Sequence, residues 1–303
     1  ADREGRVTQL SLDLRRRRVL SLGGGLDSFA LLVEALARGV QLDAVAFVDV
    51  GHPDDPGEWP GTYQHVEEVV RPMCAAAGIE FVRIDHTNYP VRDARSLFAW
   101  LAARRQIPVA GPNRVCTRVA KVERFERWLD DRFPGLDVEV WLGFEAGEEM
   151  RAAKDPNAGR QRKHRADRAR RVNRFPLIEW SLCRCRCEDL VRRAGYPVPR
   201  KSACVYCPYG TKGDWQRFAV GLPEQFARVV QLEADKPPTS RNGRKLSIMA
   251  YDSRTQTGVP LDRWVATPYR PRRDLEPCPV CGRSPRATKE AGCGYLEPAR
   301  MAA

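Results

Sequence analysis

The sequence predicts an α/β fold built on a doubly wound, mostly parallel sheet, with a Cys-rich C-terminal extension. Three observations predict it. The stretch VLSLGGGLDSFALLVEALARG, 19–39, runs from a short apolar segment through three glycines into apolar residues at helical spacing, which reads as a buried strand turning into a helix. Strand-like and helix-like segments then alternate to about residue 150, and such alternation implies parallel strands covered by helices on both faces. Of ten cysteines, eight lie beyond residue 180, so the second part of the chain has its own chemistry.

Taken in order, the first element ends at Gly23, Gly24 and Gly25. Glycine there allows positive φ and close approach of a ligand, and the helix that follows presents unpaired N–H groups and a partial positive charge, a seat for phosphate. Gly25 is followed by Leu-Asp-Ser, so the turn is neither a Walker loop nor a dinucleotide fingerprint. Asp27 can cap the helix, meet a metal ion or position an attacking group. DAVAFVD, 43–49, is the second buried strand, and Asp49 stands at its carboxyl end, where ligands collect in open parallel sheets. A helix over TYQHVEEVVRPMCAAAG ends at Gly78, EFVRID forms a third strand, a helix runs from about Thr117 to Asp131, and VEVWLGF, 138–144, is a further strand.

The next segment, RAAKDPNAGRQRKHRADRARRVNR at 151–174, reads as a basic insertion. From Arg160 to Arg174 it has eight Lys or Arg against one acidic residue, Asp167. Such a run is either a solvated face or a contact for a polyanion such as RNA or DNA, and it lacks aromatic residues for base stacking. The net charge of +12 points the same way. No run of about 20 apolar residues exists and the first residues lack an apolar signal-peptide centre, so the expectation is a cytoplasmic chain with no membrane partner. Ten cysteines in that compartment argue for metal or redox chemistry over a disulfide framework.

Cys183, Cys185 and Cys187 alternate in CRCRCEDL, Cys204 and Cys207 form a C-x-x-C closed by Pro208, and Cys278 and Cys281 form another before Cys293. Two thiolates three residues apart grip one metal, and a structural site wants four ligands. Zinc and an iron–sulfur cluster are both compatible with four thiolates. Two domains are expected, 1–180 and a Cys-rich metal-binding region 181–303, with an irregular appendage from about Pro237.

Gly24, Gly25, Asp27 and Ser28 resemble the pyrophosphate loop, S-G-G-x-D-S, of the ATP pyrophosphatases (PP-loop proteins) and the phosphoadenosine phosphosulfate (PAPS) reductase family, with Gly23 in place of the serine. GEWPGTY at 57–63, RVCTRVAK at 114–121, LGFEAGEEMRA at 142–152, and FPLIEW followed by KSACVYCPYG are similar to further elements of that family, in the same order. The resemblance implies a Rossmann-like domain of the adenine nucleotide α-hydrolase superfamily over 1–180. It implies an enzyme that binds ATP with Mg2+, cleaves between the α and β phosphates and adenylates an acceptor, for sulfur insertion into a nucleic acid or small molecule from a sulfur donor protein. The site residues it implies are Asp27, Ser28 and Lys121 for catalysis. For the nucleotide they are Gly23, Gly24, Gly25, Asp27, Ser28, Asp49, Arg114, Thr117, Gly143, Glu148 and Arg151.

The step from Trp180 to Cys187 also matches the family's, which implies Cys187, Cys204 and Cys207 as metal ligands with Cys281 or Cys278 as the fourth, holding a [4Fe-4S] cluster with zinc as the alternative. Two other readings stand beside this one. A sulfonucleotide reductase would carry Glu-Cys-Gly-x-His near its C-terminus, whereas AGCGYLEP gives Cys293-Gly294 without the Glu or the His. A nucleotide-responsive nucleic-acid-binding protein without turnover would account for Gly23.

Overall fold

In the computed structural model residues 16–110, 114–155, 170–200, 202–238, 246–252, 257–268 and 278–282 are described. Strand β1 (Arg17–Leu22) leads through the glycines into α1 (Leu26–Ala37), and β2 (Ala44–Val48) follows. One continuous helical rod then comprises α2 (Pro60–His65), a π-helical segment (Val66–Val70) and α3 (Arg71–Ala76), ahead of β3 (Glu80–Ile84). The long crossover to β4 (Asp137–Leu142) carries α4 (Leu97–Ala103), α5 (Val115–Thr117), a second π-helical segment (Arg118–Val122) and α6 (Glu123–Arg132). A short α7 (Glu149–Ala152) precedes β5 (Arg170–Arg174).

All five strands are parallel, in the order β3-β2-β1-β4-β5. The order reverses direction between β1 and β4, and a parallel sheet opens a ligand crevice at the carboxyl ends of such a pair. Burial alternates as the pleat demands. Leu20, Leu22, Val45, Phe47 and Trp141 pack with α1 and the rod on one face, while Val19, Ala44, Ala46, Val138 and Val140 pack with Phe125, Trp128 and Leu129 of α6 on the other. Each of the large side chains among these, removed from water, contributes roughly 1.5–3 kcal/mol before chain entropy is set against it.

The basic segment does not lie wholly outside the sheet. Arg170–Arg174 is its edge strand, in register with Asp137–Trp141. Arg170 pairs with Asp137, and Arg174 donates two hydrogen bonds to the Glu179 carboxylate, 3.0 and 2.9 Å long. The arginines at the end of the run are therefore compensated locally, and alternation of a strand was hidden by their charge. Residues 160–169 of the run lie outside the described residues.

Beyond the sheet come α8 (Pro176–Glu179), α9 (Arg184–Arg193), α10 (Lys212–Gly221) and α11 (Pro223–Asp235), then a two-stranded β6 (Tyr251–Asp252) and β7 (Thr257–Gly258) and α12 (Leu261–Ala266). The expected appendage from Pro237 thus contains some regular structure. α9 packs on α1, placing Cys187 and Val191 in the core of the first face. α10 to α12 build a third core with Trp59, Trp100 and Val119 around the loops that leave the sheet's carboxyl edge. The Thr211–Asp214 capping box starts α10.

Arg124 ties this edge together. It is 1% exposed, and its guanidinium donates to the backbone carbonyls of Asp49 at 2.6 Å, Tyr89 at 2.5 Å and Ile84 at 3.3 Å. Burial holds its pKa down, to about 10, so it is still a cation at neutral pH. Among the described residues no helix is long and apolar enough to cross a membrane.

Candidate nucleotide and metal site

The three glycines sit between β1 and α1, at the point where the strand order reverses. Gly24 has φ of +73°, a conformation glycine adopts without cost, and a Cβ there would lie 2.6 Å from Thr62 Cγ2. A Cβ on Gly25 would meet Ser202 Oγ at 2.8 Å, and one on Gly143 would meet Ser28 N at 2.7 Å. The loop after β4 and Ser202 thus close on the glycine turn with no room for side chains. Ser28 holds the turn itself: its hydroxyl accepts the Gly23 N–H and donates to the Gly25 carbonyl, both at 3.1 Å. No side chain caps α1, so its first N–H groups and the positive end of its dipole face the turn.

Asp27 lies in the first turn of α1, and its Oδ2 is 2.9 Å from Nη1 of Arg184. Arg184 is fixed in turn, because its backbone N–H donates to the Glu145 carboxylate and Ala146 N–H donates to the Leu182 carbonyl at 2.9 Å. Sequence reasoning missed Arg184. Its place between two cysteines drew attention to the thiols.

Asp49 is 3% exposed and works as a node of the loop after β2. Its carboxylate accepts the Gly51 N–H at 2.9 Å, the Tyr63 hydroxyl at 2.8 Å and Arg83 Nη2 at 2.5 Å. Burial beside that carboxylate drives the Tyr63 phenol well above its ordinary value, so it remains a donor.

Lys121 stands in the second π-helical segment, 3.0 Å from Oε1 of the buried Glu58. Cys204 lies on the same carboxylate, 3.7 Å from Oε1, and its backbone bridges that of Glu58. Val205 N–H to the Gly57 carbonyl, 3.1 Å, continues the pairing. Despite burial, the Glu58 carboxylate beside it raises the Lys121 pKa, which keeps the ammonium charged throughout the neutral range. Burial also drives Cys204 well up as a thiol, and Cys204 and Cys207 both feel Cys116. Glu58 and Cys116 were not singled out by sequence as members of one group; only the fold brings GEWPGTY, RVCTRVAK and KSACVYC together.

The other expected phosphate ligands lie on the loops beyond the sheet's carboxyl edge. Arg114 stacks on Tyr209 with 4.5 Å to the ring centroid, and Thr117 is exposed. Glu148 and Arg151 form an i, i+3 pair at 2.8 Å, with Arg151 also 4.1 Å over the Phe144 ring. They close on each other beyond β4.

The expected metal quartet is not assembled. Cys187 points into the core between α9 and α1, its Sγ 3.9 Å from the Leu182 carbonyl, and Cys204 and Cys207 sit with Glu58 and Lys121. Cys281 instead joins Cys278, Cys183 and Cys185, four sulfurs within 4.8 Å of one another. The physical reason is helical: in α9 Cys187 is four residues past the N-cap Cys183 and one turn deeper, on the face that packs against α1. Cys293 lies outside the described residues.

No protein-family model matches the chain, and no curated protein matches it. Among solved structures, the U34-tRNA thiolase NcsA from Methanococcus maripaludis, with its [4Fe-4S] cluster, is similar at 15% sequence identity, over 79% of this chain and 78% of that one, with a TM-score of 0.42. The fold class rests on the order and direction of the strands.

Proposed function

We propose that the chain is an ATP pyrophosphatase of the PAPS reductase-like, PP-loop kind, which adenylates an acceptor so that sulfur can replace the activated oxygen. The observation that carries this reading is the glycine turn: a positive-φ Gly24 at the head of an uncapped helix, closed by Gly143 and Ser202 where the sheet order reverses. The turn suits a polyphosphate, since backbone amides at the head of α1 supply the donors and glycine at 24, 25 and 143 lets Thr62, Ser202 and Ser28 pack close around it. The acceptor oxygen attacks the α-phosphorus, pyrophosphate leaves, and a sulfur nucleophile then displaces AMP. Loop amides would hold the pyrophosphate, and Asp27, paired with Arg184, is the carboxylate that would hold Mg2+.

Lys121, fixed by Glu58, places a cation beside Cys204 and Cys207, where it offsets part of the cost that burial sets on a thiolate. Cys204 and Cys207, with Cys116 in their field, are the thiols that would hold an iron–sulfur cluster on this side, and it would supply iron as a Lewis acid for sulfur. A nucleic-acid acceptor and a sulfur donor protein complete the reading, in the cytoplasm. The test is pyrophosphate release from ATP, with and without RNA, DNA and sulfide. Release stimulated by one acceptor is expected. A folded Gly24→Val protein that binds ATP as the parent does would overturn the assignment.

A further inference from the structure

The sulfurs of Cys183, Cys185, Cys278 and Cys281 lie within 4.8 Å of one another, and none is in a disulfide. A tetrahedral ion with metal–sulfur bonds of about 2.3 Å sets its four sulfurs about 3.8 Å apart. A four-iron cube spreads its cysteine sulfurs to roughly 6 Å. The spacing is that of one ion.

Both halves of the group have the local form that metal knuckles take. Cys183 is the N-cap residue of α9 with extended backbone, and Cys185 is in the first turn, so both thiols stand at the positive end of the helix. Cys278 to Cys281 is a tight turn closed by the Gly282 N–H on the Cys278 carbonyl at 2.8 Å, with Gly282 at φ of +69°. The N–H groups of Val280 and Cys281 face the Cys278 sulfur. The two halves are 93 residues apart, 185 to 278, and a helix N-terminus and a tight turn bring their four thiols to one point.

We propose that Cys183, Cys185, Cys278 and Cys281 bind a single tetrahedral zinc ion, and that this ion fastens the 278–282 segment to the N-terminus of α9, holding Arg184 against Asp27. Binding exchanges thiol protons for the metal and releases them to solvent. Arg184 stands between two ligands, so the ion fixes its backbone while its guanidinium reaches the glycine turn. The knuckle also abuts the loop after β4, where Val280 would lie 3.7 Å from a Cβ on Gly147. The site is separate from the thiols around Lys121, so this ion is structural whatever Cys204 and Cys207 carry.

The full chain, purified from cells, should contain one zinc ion, measured by elemental mass spectrometry. Cys278→Ser and Cys185→Ser should each lose it, Cys278→His should keep it, and Cys204→Ser should keep it. Cobalt added to the metal-free parent should give the intense thiolate-to-cobalt absorption and the visible bands of a tetrahedral all-sulfur site, a readout that needs no variant to fold. Zinc retained in both serine variants, iron lost in place of zinc, or an octahedral cobalt spectrum would each overturn the proposal. Zinc content and cobalt spectra do not depend on nucleotide, so failure to bind ATP in a zinc-loaded protein would count against the proposed function alone.

Discussion

Arg184 Nη1 lies 2.9 Å from Asp27 Oδ2, a pair made across 157 residues of chain. It joins the glycine turn that opens α1 to α9, the helix that packs on α1 and begins the Cys-rich half. Both side chains are about four-fifths removed from water, which places the pair between the weak surface case and the costly buried one.

A double-mutant cycle of Asp27→Asn and Arg184→Gln, measured by urea unfolding, should show a coupling of about 1–2 kcal/mol. Arg184→Gln alone should weaken Mg-ATP binding several-fold, because the carboxylate it orients is then free to rotate away from the turn. Additive single effects would mean the pair contributes nothing to either half.

Gly143→Ala tests the closeness of the β4 loop to the turn. The new methyl would sit 2.7 Å from Ser28 N, 2.8 Å from Ser28 Cα and 2.9 Å from the Asp27 carbonyl carbon. All three are backbone atoms, so the loop must move, and a destabilisation of about 1–3 kcal/mol is expected with a larger fall in ATP affinity. Gly23→Ala is the control. Its methyl meets only Ser28 Oγ, at 3.7 Å, and should be tolerated. Equal nucleotide affinity in the two variants would separate Gly143 from the site.

The sheet was legible because apolar residues fill the buried positions of its first four strands, continuously in β2 and in alternation in β4, with Leu20, Val45 and Val140 wholly buried. β5 was not, since Arg170, Arg171 and Arg174 read as a polar run until Asp137 and Glu179 are known to face them. The glycine turn and Asp27 were legible as local pattern. Arg184, Glu58 and Cys116 were not, because each acquires its role from a partner far off in sequence: Asp27, Lys121 and the Cys204–Cys207 pair. The cysteine spacing did not show which sulfurs meet, since spacing alone does not say that Cys187 turns inward with α9 while Cys183 and Cys185 gather with Cys278 and Cys281.

His65 should make the fold acid-sensitive. It is 8% exposed, its ring sits edge-on to Phe29 at 4.5 Å, and burial lowers its pKa to about 4. A histidine held neutral by the fold costs stability once the unfolded chain can take a proton that the folded chain cannot. Its contribution is therefore complete above about pH 6.5 and falls away as pH drops toward about 4, by up to about 3 kcal/mol. The difference in unfolding free energy between the parent and His65→Leu should shift by that order in favour of the variant between pH 7 and pH 4.5. A difference that stays constant with pH would show that His65 titrates normally.

The basic run should divide into two parts with different effects. Arg171 is buried in the sheet edge, 5.4 Å from the Phe125 ring centroid and 2.7 Å from Asn173 Oδ1, and its side chain is 13% exposed. Arg171→Ala removes that packing and should destabilise the chain by about 1–2 kcal/mol, without changing the salt dependence of nucleic-acid binding. Arg162, Lys163 and Arg165 stand in the earlier part of the run, and replacing all three by Ala should do the reverse. Stability should hold, affinity for RNA and DNA should fall, and the slope of log affinity against log salt should flatten by up to about 0.9 for each duplex phosphate no longer neutralised. ATP affinity should not move, because the proposed seat for its phosphates is the backbone amides of the glycine turn. A triple variant whose affinity and salt slope match the parent's would make the segment a solvated face and move any nucleic-acid interface elsewhere on the chain.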